Sequence, residues 1–156
     1  MAAARPRQRR YGQAMSEARL LVNVDVPDLA AAERFYTAAL GLRAGRRFGT
    51  GGLELLGVEA PIYLLLKLAG TMPFEGGGEP RDYARHWSPV HLDFAVDALE
   101  PALRRAVAAG ALQEGKIHET PWGRLAVLSD PFGHGLCLLE FTAKGYDAIA
   151  ARPDPE

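Results

Sequence analysis

At 156 residues, with 48% hydrophobic and 24% charged side chains, the chain has the size and composition of one water-soluble globular domain. A formal net charge of -1 provides no field for nucleic acid or an anionic membrane, so neither is an expected partner. Cys137 is the single cysteine, which excludes an intrachain disulfide, and no apolar run is long enough to span a bilayer; a cytoplasmic protein is expected.

Residues 1–18 carry Arg5, Arg7, Arg9 and Arg10 among Ala, Gln and Pro with no apolar period, and read as a flexible leader. From residue 19 to 26 the pattern alternates. Val22, Val24 and Val26 share one face of a strand, and Leu21, Asn23 and Asp25 share the other. Asp28 then opens a helix whose apolar stripe is Leu29, Ala32, Phe35, Tyr36, Ala39 and Leu40, and Gly41 ends it. Strands are predicted over 43–48, 52–58 and 62–68, with Gly-Thr-Gly-Gly at 49–52 as a hairpin turn.

Residues 70–87, rich in Gly and Pro and ending in Tyr83, His86 and Trp87, read as a simple connector between the units, with a functional lid as the alternative and the aromatic end as a candidate border of a cavity. A second strand is predicted over 89–96, with Leu92, Phe94 and Val96 on one face and His91, Asp93 and Ala95 on the other. Asp97 with Glu100 resembles a capping box for a helix buried along Leu99, Ala102, Leu103, Ala106 and Ala109. Further strands are predicted over 112–119, 124–128 and 135–142, with Asp130-Pro-Phe-Gly133 as a turn before the last. The two halves align at an offset of seventy residues, which sets Leu21 against His91, Val26 against Val96 and Leu29 against Leu99. One supersecondary unit, strand–helix–three strands, is therefore used twice, over 19–69 and 88–143, before a tail at 144–156.

This doubled order resembles the vicinal-oxygen-chelate superfamily, which includes glyoxalase I, bleomycin-resistance proteins, fosfomycin-resistance enzymes and extradiol dioxygenases. The resemblance rests on Phe35-Tyr36 ahead of Leu40-Gly41-Leu42 and on Asp130-Pro131-Phe132-Gly133-His134 ahead of the last strand, and it covers about residues 19–143. It implies an α+β fold in which two βαβββ units form half-barrels around a shared concave cavity, with the helices outside. Asn23, Asp25, His91 and Asp93 would then face that cavity, where polar side chains need water, partners or a ligand. Tyr63 and Cys137 join them as candidate ligand-binding residues, with Leu65, Leu139 and Phe141 as apolar wall. A homodimer is expected, because open half-barrels leave sheet edges to be covered and superfamily members usually associate.

The resemblance also implies a divalent metal held by His, Gln or Glu from the first and last strand of each unit. His91 fits one such place, but its counterpart is Leu21, and the inward places of the last strand in unit one hold Tyr63 and Leu65. Cys137 stands where Glu is usual, and Glu140, three residues on, faces the opposite side of a regular strand. No cofactor is therefore expected, because a catalytic divalent site generally takes three protein ligands. The favoured function is metal-free binding of a small aromatic or amphipathic molecule. The alternative is a metal-dependent lyase, isomerase or dioxygenase using His91 and Glu140. A third reading, an interaction module with a vestigial cavity, is disfavoured by the polar inner face.

Overall fold

The computed structural model describes residues 17–151, so most of the expected leader and the end of the tail lie outside the described residues. In order come β1 (Val22–Val26), α1 (Leu29–Leu40), β2 (Arg43–Phe48), β3 (Gly52–Leu56) and β4 (Ile62–Leu66). Unit two follows with β5 (Leu92–Ala95), α2 (Leu99–Ala109), β6 (Leu112–Gln113), β7 (His118–Thr120), β8 (Gly123–Ser129) and β9 (Gly135–Phe141). A short 3-10 helix, Gly145–Ala148, is the last element of the described residues. The sheets run β1-β4-β3-β2 and β5-β9-β8-β6, with β7 also on β8. Each unit pairs its first and last strands in parallel, β1 with β4 and β5 with β9, and all other pairs are antiparallel. This is the expected α+β arrangement of two βαβββ units.

Local chemistry explains the helix ends, with one surprise. Asp28 Oδ1 accepts the N–H of Ala31 at 2.9 Å and starts α1 as a side-chain cap. The N-cap of α2 is Ala98, which has no capping side chain. Its first turn is capped from outside: Glu140 of β9 accepts the N–H of Leu99 through Oε2 at 2.6 Å. Beside the local signal of Asp97 and Glu100, the first turn is thus served by a carboxylate 41 residues from Leu99. Glu100 instead joins Glu140 around Arg124. The strand expected over 112–119 is also interrupted, leaving only β6 and β7 paired to β8.

One continuous core forms where α1 and α2 pack together over both sheets. Ala32, Phe35, Tyr36 and Ala39 are the buried face of α1, and Leu99, Ala102, Leu103 and Ala106 that of α2, close to the predicted stripes. Leu53, Leu55, Leu64, Leu128 and Leu138 from the strands are fully buried beneath them, each contributing about 1.5–3 kcal/mol of burial free energy.

Among the described residues no strand pair joins the two sheets, so the units are held by side chains. The most buried of these ties runs from Tyr36 on α1 to Asp130 between β8 and β9, hydroxyl to Oδ2 at 2.7 Å. Asp130 Oδ1 accepts the N–H groups of Phe132 and His134 at 2.8 and 2.9 Å, so the same carboxylate shapes the turn. Burial first, and the neighbouring carboxylate second, push the Tyr36 hydroxyl well above the usual tyrosine value. Tyr36→Phe should therefore leave Asp130 Oδ2 buried without its partner and lower stability by about 1–3 kcal/mol. Urea unfolding measures this, and an unchanged midpoint would remove the tie from the list of interactions that hold the units together.

Candidate functional site

The first strand of each unit lies at the edge of its sheet, β1 in one and β5 in the other. A cavity of about 900 Å³ opens beside them, lined by Val22, Asn23, Val24 and Asp25 from unit one and His91, Leu92 and Phe94 from unit two. Both faces of β1 reach it, whereas β5 contributes the single face of Leu92 and Phe94, with His91 just ahead of the strand. The connector supplies much of the remaining wall, from Pro73 to Val90. That volume is in the range of small-molecule sites.

The connector is a strap tied down at several points. Arg81 Nε donates to Asp25 Oδ2 at 2.7 Å, and the Tyr83 hydroxyl donates to the carbonyl of Lys67 at 2.6 Å. Arg85 pairs with Glu114, and the N–H of His86 donates to the carbonyl of Gly133 at 3.0 Å. Gly133 has φ +85, and a Cβ there would stand 2.6 Å from the carbonyl oxygens of both Tyr83 and Ala84. A Cβ on Gly135 would overlap the Trp87 ring, so both glycines let the strap lie on the turn and the start of β9. His134 completes the seam. Its Nε2 donates to the carbonyl of Asp25 at 2.7 Å, and its Nδ1 lies 3.0 Å from Nε2 of His86.

On the unit-two side, Trp87 covers His91 with ring centroids 4.7 Å apart, tilted by 37°. His91 Nε2 lies 3.2 Å from Asp93 Oδ1, the ion-pair partner of the imidazole among the described residues. Asp93 is the register partner of Cys137 on β9. Burial first, then the charge of Asp93 and a hydrogen bond to it, push the Cys137 thiol up to about 12, so it remains protonated at neutral pH.

Of the candidate residues, Asn23, Asp25, His91 and Leu65 line this cavity, while Asp93 and Cys137 stand behind His91. Tyr63 is occupied elsewhere on sheet one, where its hydroxyl donates to Glu54 Oε1 at 3.2 Å beside Arg46. Leu139 is buried, and Phe141 packs against Trp122 and Tyr146. Sequence reasoning did not single out Lys67, Arg81 or His134 as wall or seam residues. The aromatic end of the connector was the signal that a wall lay there. Nothing in the repeat pointed to His134 reaching β1.

Superfamily-type metal binding can be tested against these residues. His91, Asp93 and Cys137 bring one donor atom each within 4.8 Å of one another. All three come from one unit: His91 Nε2 lies 3.2 Å from Asp93 Oδ1, and Asp93 is the register partner of Cys137. Unit one adds no donor to the set: Leu21 is a hydrocarbon, Tyr63 bonds to Glu54, and Asp25 is paired with Arg81. Glu140 is turned to the N-terminus of α2 and to Arg124, so the alternative pair His91 and Glu140 is not brought together. The grouped donors all come from unit two, so they do not reproduce the site with ligands from both units that the superfamily implies; His91, Asp93 and Cys137 are the residues that could hold an ion.

A second polar cluster lies on sheet one. Arg46 donates to Glu54 through Nε, Nη2 and its backbone N–H at 3.0, 2.6 and 3.1 Å. The side-chain bonds first, then the backbone bond, outweigh desolvation and hold the Glu54 carboxyl down at about 2. With the folded value below the ordinary one, this stabilisation is complete above the ordinary carboxylate range and vanishes as pH falls through about 2. Denaturant unfolding at stepped acid pH should show the native protein losing stability over that window faster than Glu54→Gln. Equal acid slopes would show that the cluster contributes nothing.

Comparison with known proteins agrees with this architecture. Residues 21–139 match the Glyoxalase-like domain family. The chain is 36% identical over 124 residues to anthracycline biosynthesis protein DnrV of Streptomyces peucetius, covering 78% of this chain and 40% of that protein. It is 32% identical over 134 residues to anthracycline biosynthesis protein DauV of Streptomyces sp. (strain C5), covering 83% and 43%. The chain thus spans about two-fifths of the length of these curated relatives. Among solved structures, the fosfomycin resistance protein FosX of Listeria monocytogenes, complexed with Mn(II) and sulfate, superposes with TM-score 0.63 at 14% identity, covering 83% and 94% of the two chains. Lactoylglutathione lyase of Agrobacterium tumefaciens gives 0.58 at 20% identity, covering 81% and 95%; both likenesses concern the fold alone. With the repeated units and the family match over most of its length, the chain belongs to the Glyoxalase-like domain family of the vicinal-oxygen-chelate superfamily.

Proposed function

We propose that this protein binds a small aromatic or amphipathic molecule in the cleft beside β1 and β5, without a metal ion. The observation that carries the reading is the roofed cavity of about 900 Å³, with Leu65, Phe74 and Phe94 as apolar surface and His91, Asn23 and Lys67 as polar points. A few polar groups in an apolar wall fix orientation, while the wall supplies most of the binding free energy. The names of both Streptomyces relatives tie them to anthracycline biosynthesis. Anthracyclines are fused-ring aromatic compounds, and a planar ring system suits a cleft with Trp87 and Phe94 near its polar groups. The metal-free reading draws on unit one, where Leu21 is a hydrocarbon, Tyr63 bonds to Glu54 and Asp25 pairs with Arg81.

The test is calorimetric titration with a panel of fused-ring hydroxyquinones, with and without a chelator. Binding should survive the chelator, and His91→Ala should weaken it by about 1–3 kcal/mol, the cost of stranding a polar partner. Stoichiometric metal in the purified protein that is lost on replacing His91 would overturn the metal-free reading. Unchanged affinity with a large fall in melting temperature would make His91 a structural residue instead.

A homodimer is part of the same proposal. Strand β2 ends sheet one with five of its six residues exposed, a free edge of the kind that a second copy commonly covers. Light scattering should return twice the mass of the chain; a value equal to one chain would reject the dimer.

A further inference from the structure

We propose that His86 and His134 form a one-proton latch on the cavity: the end of the strap is held while the two rings share a single extra proton, and is released when that proton leaves or a second one arrives. The inference needs no ligand and stands apart from the binding reading. It comes from counting protons along one row of contacts. His134 Nε2 lies 2.7 Å from the carbonyl oxygen of Asp25, His134 Nδ1 lies 3.0 Å from His86 Nε2, and His86 Nδ1 lies 3.0 Å from the carbonyl oxygen of Ala84. The row begins and ends on an acceptor, so each outer nitrogen needs a proton, and the inner contact takes one more. Two neutral imidazoles hold one proton fewer than that, so the fully bonded row carries one positive charge.

The adjacent protonation states each lose a contact. When the extra proton leaves, one of the contacts sets lone pair against lone pair. When a second arrives, the N–H groups at His134 Nδ1 and His86 Nε2 meet head-on between two charged rings. The loss falls on the strap, because the row runs from the strap through the turn ahead of β9 to β1. Beside it the N–H of His86 donates to the carbonyl of Gly133 at 3.0 Å. Ser88 and Val90, which follow, line the cavity together with both imidazoles.

The surroundings suit a single charge. Asp130, buried beneath the turn, accepts the N–H of His134 through Oδ1 at 2.9 Å and places a carboxylate beside the pair. The nearby guanidinium groups are already matched, Arg85 by Glu114 and Arg81 by Asp25. Asp82 on the strap accepts the N–H of Ala84, and Lys67 lines the cavity after β4. The Tyr83 ring meets His134 edge-on at 5.9 Å, and burial raises its hydroxyl above the usual tyrosine value. Hydrogen bonds from Arg85 hold the Glu114 carboxyl below the ordinary range. Neither group changes charge between about pH 5 and 8, where imidazoles do. His91, paired with Asp93, is the other imidazole on the cavity.

The test uses the whole protein carrying nitrogen-15 histidine, whose ring shifts report which nitrogens hold protons. Near neutral pH, His86 Nδ1 and His134 Nε2 should both be protonated, with a scalar coupling across the contact between the rings. Strap closure is read as protection of the residue 86 amide from hydrogen exchange, relative to an unstructured peptide at the same pH. Protection should peak inside the range of about pH 5 to 8 and fall by about tenfold on either side, the weight of one lost hydrogen bond. His134→Gln should flatten this profile, and His91→Gln should leave it in place. Two neutral rings throughout the range, or a flat profile in the parent protein, overturn the latch. A peak that survives in folded His134→Gln protein also overturns it; if that variant does not fold, the ring shifts and the parent profile decide.

Discussion

The buried carboxylate of Asp130 is the constraint on which the rest of the molecule depends. The two sheets share no hydrogen-bonded strand pair among the described residues, so their relation is set by helix packing and by a few side chains that cross between units. Asp130 is the most buried of these crossings, with 3% of its surface exposed, and each of its oxygens is used. A buried charge is tolerated only when its lone pairs are met, and here they are met by groups from both units. The carboxylate therefore fixes the turn before β9 and the position of α1 together. From that turn His134 reaches back to the carbonyl of Asp25 on β1, which brings the two edge strands to the same cavity.

Because β1 and β5 do not pair with each other, the cavity exists at all. Two edge strands with unsatisfied outer faces would otherwise invite pairing or aggregation. The strap from Gly70 to Val90 covers this region, and its ties are polar and local: Arg81 on Asp25, Tyr83 on the Lys67 carbonyl, His86 on the Gly133 carbonyl. Polar ties of this kind hold a wall in place without filling the space behind it with hydrocarbon. The cleft thereby combines apolar surface with imidazole, ammonium and amide groups, the composition on which the proposed binding function rests.

Much of the fold was legible along the chain because it depends on local periodicity. Alternation marked β1 and β5, the helical stripes marked the buried faces of α1 and α2, and the offset of seventy residues revealed the repeat. The site was legible only in part. Asn23, Asp25 and His91 were reached by parity along single strands, which sequence reports well. Tyr63 was placed in the cavity by the same parity but sits instead with Glu54 and Arg46, a competition between side chains on neighbouring strands that no single-strand pattern records. The first turn of α2 has the same lesson: Asp97 and Glu100 carry the local signal, but the carboxylate that takes the Leu99 N–H is Glu140, from β9.

By itself, then, the sequence determined the repeated unit, the strand and helix faces, and the absence of metal-ligand side chains at Leu21 and Tyr63, since each follows from residue type and spacing. Tertiary structure alone decided that the connector is a wall rather than a spacer, that His134 joins the units, and that His91, Asp93 and Cys137 come together. The physical reason is range. Periodicity and turn chemistry act over a few residues and are written in the chain. The Asp25–Arg81 pair and the His134 seam are 56 and 109 residues apart in sequence, and form only once packing has brought distant segments within hydrogen-bond reach.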